Sequence, residues 1–123
     1  MTTPEIIYVE DDDQEAFIMT IGMRRQGIQI LHVPEIDIEH VEELMSAPYD
    51  SAVALIFDAI LTGVSGVALA QALRTKGDER PIILLTAGEN PDARLLGSLR
   101  VHYMRKPPNY ATLAEIIRRE QPD

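Results

Sequence analysis

A doubly wound α/β sheet is the fold this sequence predicts, and three observations point to it. Short apolar runs alternate five times with segments of helical spacing, which implies parallel strands joined by right-handed helical crossovers. Two of the runs, Ala52-Val-Ala-Leu-Ile-Phe57 and Ile82-Ile-Leu-Leu85, are apolar without alternation, as in a sheet covered on both faces. The length of 123 residues, with 46% apolar and 25% charged side chains, suits one compact core, so residues 1–123 are expected to form a single domain.

The first strand is Ile6-Ile-Tyr-Val9, a β-branched and aromatic run that stops at four acids, Glu10-Asp-Asp-Asp13. A helix is predicted over residues 14–26, with Phe17, Thr20, Ile21 and Arg24 along one stripe and Gly27 as its stop. Ile28-Gln-Ile-Leu31 is the second strand. Residues 36–45 form a second helix through Ile38, Val41, Glu42 and Met45. Strand three is Ala52–Phe57. Ser65 caps a helix running to Lys76, with Leu69, Ala72 and Leu73 on one face, and Gly77 follows it. Strand four is Ile82–Leu85, and a fourth helix over residues 91–100 is interrupted by Gly97. His102-Tyr-Met-Arg105 makes the fifth strand, closed by Lys106-Pro-Pro108, because proline cannot donate to a ladder. Asn109 caps a last helix whose Leu113, Ile116 and Ile117 recur at i, i+3 and i+4, and residues 121–123 read as a frayed end.

Composition excludes several functions. Twenty acidic against eleven basic side chains leave a net charge of −9, which a nucleic-acid backbone repels. No apolar run approaches the roughly 20 residues of a membrane helix, and the N-terminus lacks the pattern of a signal peptide, so a cytoplasmic location is expected. The chain has no cysteine, which rules out disulfides, thiolate metal sites and thiol nucleophiles.

Function is legible where the apolar pattern breaks. Glu10 and Asp11 follow strand one, Asp58 strand three, Thr86 strand four and Lys106 strand five, all at carboxyl ends. In an open parallel sheet, ligands bind beyond those ends, at the switch point between connections to opposite faces. With strand order 2-1-3-4-5, strands one and three flank that crevice. Taken singly, each residue has an ordinary role: acids cap helix N-termini, Asp58 and Thr86 suit turns, and Lys106 suits a solvated loop. Taken together they do not. Two unit charges ~4 Å apart interact by roughly 4 kcal/mol at an effective dielectric near 20, so three clustered carboxylates need a cation or take up protons. Mg²⁺ suits an all-oxygen site without His or Cys. Lys106 adds a positive charge and Thr86 a hydroxyl donor, which is an arrangement able to stabilise a phosphoryl group in flight.

Four segments carry a resemblance: Ile6-Ile-Tyr-Val-Glu-Asp-Asp12, Leu55-Ile-Phe-Asp58 with Gly63-Val-Ser-Gly66, Pro81-Ile-Ile-Leu-Leu-Thr-Ala87 and Tyr103-Met-Arg-Lys-Pro107. In this order and at these intervals the sequence resembles the receiver domain of two-component response regulators, a flavodoxin-like (βα)5 fold. The resemblance implies that Asp58 is the phosphoacceptor. It implies that Glu10, Asp11, Asp58 and the backbone carbonyl of Ile60 hold Mg²⁺, that Thr86 and Lys106 bind the phosphoryl group, and that Tyr103 reports the switch. It also implies a cis peptide before Pro107. Thr62 stands where the family usually has proline, and Pro108 where an aromatic is common. The interval from Thr86 to Lys106 is short for the family, so the fourth helix is expected to be short or displaced.

Phosphotransfer onto Asp58 from a histidine kinase or histidine phosphotransfer protein is therefore the leading expectation, with a change of protein contacts as the output and no enzymatic activity beyond self-phosphotransfer and its reversal by water. The downstream target is open, and a homodimer is compatible. A phosphorylation-independent adaptor is the alternative. A Mg²⁺-dependent phosphatase ranks last, because Ile60 stands where such enzymes commonly carry a second acid.

Overall fold

The computed structural model describes residues 3–88 and 92–121. Five parallel strands form the main sheet: β1 (Glu5–Val9), β2 (Gln29–Val33), β3 (Ala54–Asp58), β6 (Ile82–Thr86) and β7 (Val101–Arg105), in the order β2-β1-β3-β6-β7. Counted among these five alone, that is the expected 2-1-3-4-5. Two further strands, β4 (Ile60–Leu61) and β5 (Val64–Ser65), make a small antiparallel hairpin directly after β3. Sequence pattern missed it, because two-residue strands produce no run to detect.

Side chains alternate across the pleat, so the sheet feeds two cores. Ile7, Val9, Leu55, Phe57, Ile82 and Leu84 face Val41, Leu44, Leu69, Leu73 and Leu96 on one side. Ile6, Tyr8, Ala54, Ile56, Ile83 and Leu85 face Met19, Met23, Leu113 and Ile117 on the other. Helices α1 (Asp13–Arg24) and α4 (Tyr110–Arg119) thus cover one face, and α2 (Gly66–Thr75) and α3 (Ala93–Leu99) the other. The caps at Ser65 and Asn109 are as expected, each side chain accepting from an amide three residues on.

Two helical elements depart from expectation. In α1 the buried face is Ala16, Met19, Gly22 and Met23, while Phe17 is 65% exposed and Ile18 56%. Gly22 explains the altered phase: a Cβ there would lie 2.7 Å from the ring of Tyr110, so a residue without a side chain marks the closest approach of α1 to α4. The second helix is not α but 3-10, over Ile38–Met45, with non-helical backbone at His40. Ile38, Val41 and Leu44 recur every third residue, which matches three residues per turn, and Val41 and Leu44 are the buried pair. Helix α3 is short, as expected, with Leu96 alone buried; its expected start at Pro91 and the frayed end beyond Gln121 lie outside the described residues. No helix among the described residues is long and apolar enough to cross a membrane.

Candidate functional site

The crevice beyond β1, β3, β6 and β7 is built by the strand ends themselves. Glu10 follows β1; its amide donates to the Val33 carbonyl at 3.2 Å, which carries it one residue past the last strand pair. Its side chain is 1% exposed and is held by the Tyr8 hydroxyl at 3.0 Å and the Asp12 amide at 3.1 Å, while the His32 ring donates to its carbonyl at 2.7 Å. Asp58 ends β3, opposite Leu85 of β6, and one of its oxygens accepts the Ile60 amide at 3.3 Å. Gly66 lets α2 start against this strand end, because a Cβ there would collide with the Asp58 carbonyl oxygen. Lys106 is aligned by its own amide, which donates to the Thr86 carbonyl at 2.7 Å, and the Lys106–Pro107 peptide is cis.

These placements bring Lys106 Nζ to 2.7 Å from Asp58 Oδ2 and 3.5 Å from Glu10 Oε2. The same ammonium donates to both carboxylate oxygens of Glu15, at 3.2 and 3.1 Å. Glu15 was not among the expected site residues. Its position in the first turn of α1 reads in sequence as a helix-dipole acid, and only the return of β7 brings Lys106 within its reach. Of the four acids after β1, Asp12 is the helix cap, accepting from the amides of Gln14 and Glu15.

Oxygens of Glu10, Glu15 and Asp58 lie within 4.8 Å of one another, against one ammonium. Burial is the largest force on Glu10 and, with the Asp58 charge, pushes its pKa up to about 7 despite the opposing hydrogen bonds from Asp12 and Tyr8. Burial also disfavours charge on Lys106. The hydrogen bonds to Asp58 and Glu15 and the charges of Asp58 and Glu10 outweigh it, so the ammonium is held above its ordinary range. Tyr8 is held well above the usual phenol value, by burial first and then by the Glu10 charge.

The remaining expected residues are placed less centrally. Asp11 is turned towards the β4–β5 hairpin, where one of its oxygens accepts both the amide (2.9 Å) and the hydroxyl (2.6 Å) of Thr62. The hydroxyl first and the amide second hold its carboxyl below the usual carboxylate value. Thr86 is buried at the end of β6, Tyr103 is half exposed on β7, and Ile60 presents its amide to Asp58 while its side chain is 65% exposed.

The donor set suits a hard divalent cation. It is all carboxylate oxygen, it carries more negative charge than Lys106 compensates, and Asp58 and Glu10 both contact that one ammonium. Asp11 stands outside this group, with one of its oxygens engaged by Thr62.

No family model matches the chain. It is 26% identical over 121 residues to the transcriptional regulatory protein PrrA of Mycobacterium tuberculosis, which covers 97% of this chain and 49% of that protein. It is 28% identical over 94 residues to the response regulator MprA of Mycobacterium avium, covering 74% of this chain and 39% of MprA. The chain spans about half the length of the curated relatives it matches first. Among solved structures, a response regulator receiver protein from Pseudomonas putida superposes with a TM-score of 0.79 at 19% identity, over 98% of this chain and 99% of that one. A CheY-like receiver domain from Methylobacillus flagellatus gives 0.79 at 22% identity, over 96% and 98%.

Proposed function

We propose that this relative of the response regulators is a phosphoacceptor receiver domain that carries a phosphoryl group on Asp58. The observation that supports it best is the Asp58–Lys106 contact of 2.7 Å at the carboxyl end of a central strand, inside a cluster with surplus negative charge. A carboxylate oxygen of Asp58 attacks phosphorus in line, the bond from phosphorus to the donor's imidazole nitrogen breaks, and the ring, protonated on its other nitrogen, leaves as neutral imidazole. Lys106 remains beside the acceptor and neutralises charge on the phosphoryl oxygens, while the buried Thr86 supplies a hydroxyl from the end of β6. Glu10, Asp58, the Ile60 carbonyl and, once released from Thr62, Asp11 would hold Mg²⁺, which would supply neutralisation of the charge that develops during transfer. The donor is the phosphohistidine of a cytoplasmic histidine kinase or phosphotransfer protein. Residues 1–123 act as one receiver unit. Its readout is a change in protein contacts through Thr86 and Tyr103.

Intact mass after incubation with acetyl phosphate and Mg²⁺ tests this: one phosphate is expected on the wild-type chain and none on Asp58→Asn. A second reading, an adaptor that works without phosphorylation, is favoured by one observation, the engagement of Asp11 by Thr62. No phosphate on the wild-type protein at saturating Mg²⁺ would select it.

A further inference from the structure

We infer that Thr62 is a positioning residue that withholds Asp11 from Mg²⁺ and thereby sets the cation concentration at which the site fills; this rests on Asp11 being a metal ligand. Both Thr62 bonds end on the same Asp11 oxygen, at 2.9 Å from the amide and 2.6 Å from the hydroxyl, so a cation reaching that oxygen must displace or share two donors. Glu10, Glu15 and Asp58 are gathered within 4.8 Å, and Asp11, held by Thr62, stands outside their group.

The anchor is firm. Ile60 pairs with Ser65 and Leu61 with Val64, which leaves Thr62 and Gly63 as the two residues of the hairpin turn. The base of the hairpin is tied to the sheet, since the Ala59 amide donates to the Leu85 carbonyl and the Gly66 amide to the Ala59 carbonyl. Gly63 has φ +82°, and Arg100 is the one non-glycine of positive φ among the described residues, so the turn has the positive second position and negative first position of type II. The first position of such a turn accepts any residue and favours proline. Its amide is therefore not needed by the hairpin, and here it is spent on Asp11.

Two substitutions grade the effect without demanding a new turn. Thr62→Pro removes both donors, and Thr62→Val removes the hydroxyl alone. Thr62→Ser keeps both. Mg²⁺ titrations of the full chain, followed by amide chemical shifts, should give a dissociation constant about tenfold lower for Thr62→Pro, about threefold lower for Thr62→Val, and unchanged for Thr62→Ser. Phosphorylation by acetyl phosphate should show the same fall in half-saturating Mg²⁺ with an unchanged plateau, which a general disturbance of the site would not produce. Equal or weaker Mg²⁺ binding by Thr62→Pro overturns the inference. Asp11→Asn separates the two levels: if it loses Mg²⁺ while Thr62→Pro binds like wild type, only the Thr62 role falls, and if it binds Mg²⁺ like wild type, the assignment of Asp11 as a ligand falls with it.

Discussion

The molecule buries charge at both ends of its sheet and does so in opposite ways. At the amino end, Asp78 and Arg80 form an ion pair at 2.7 Å. Arg80 continues to the carbonyls of Leu44, Tyr49 and Ala52, and Arg74 donates to those of Asp78, Arg80, Leu99 and Arg100. Those donors end on backbone, tying the 3-10 helix Ile38–Met45, a second 3-10 turn at Tyr49–Ser51, α2 and the start of β7 together. At the carboxyl end, three carboxylates share one ammonium, and one of them, Glu10, is pushed towards neutrality. Buried charge that is fully consumed by the chain holds a fold; buried charge left in surplus holds something else.

The largest test of that contrast is stability after losing each cation. Arg80→Met strips Asp78 of its guanidinium partner and takes a donor from each of three carbonyls, so urea denaturation should show a loss of about 3–5 kcal/mol, a large share of a domain's stability. Lys106→Met should cost clearly less, because Glu10 can take up a proton in place of the lost cation, yet it should strongly reduce phosphate incorporation. Equal costs for the two substitutions would break the contrast.

The two ends should also respond to pH with opposite sign. Glu10 titrates near 7 when folded, against an ordinary value of 4.5, so the folded state binds more protons between those values. Its contribution is full below about pH 4.5 and is lost as pH rises towards 7, by up to about 3 kcal/mol. Asp78 is depressed: although burial works to raise it, the Arg80 side-chain and backbone hydrogen bonds prevail, so its contribution is present above the ordinary aspartate value and is lost as pH falls through the depressed one. Chemical denaturation from pH 3 to 8 should show a Glu10-dependent decline above pH 4.5 that Glu10→Gln flattens. A wild-type stability that rises from pH 5 to 7 would contradict the assigned direction.

Sequence made one of these ends legible and not the other. Glu10, Asp58, Thr86 and Lys106 interrupt apolar strands at their carboxyl ends, and a parallel sheet converges such interruptions without any knowledge of side-chain reach. Glu15 and Thr62 enter the site through helix and hairpin geometry that leaves no periodic trace. Asp78-Glu-Arg80 reads as an ordinary charged loop, since its partners are backbone carbonyls, which carry no sequence signal. The same reason hid the phase of α1: Gly22 counts as neither apolar nor polar, yet it is where Tyr110 packs.

Water access gives the smallest and sharpest test of the surplus end. Hydrolysis of a phosphorylated Asp58 needs a water in line with the phosphorus–oxygen bond, and Ile60, whose amide already touches Asp58, stands beside that approach. Its side chain is exposed and has neither donor nor acceptor, so it cannot orient a nucleophile. Gly88, two residues after Thr86, offers no side chain either, and Arg105 comes to 3.6 Å from where its Cβ would be. With orientation absent, the phosphoryl group should be long-lived. Ile60→Asn places an amide where it can position water, and phosphate loss after removal of the donor should accelerate by up to roughly tenfold, the equivalent of about 1.4 kcal/mol in the transition state. Equal or slower loss at the same Mg²⁺ concentration would show that Ile60 does not set the lifetime, and that the surplus charge around Asp58 governs it instead.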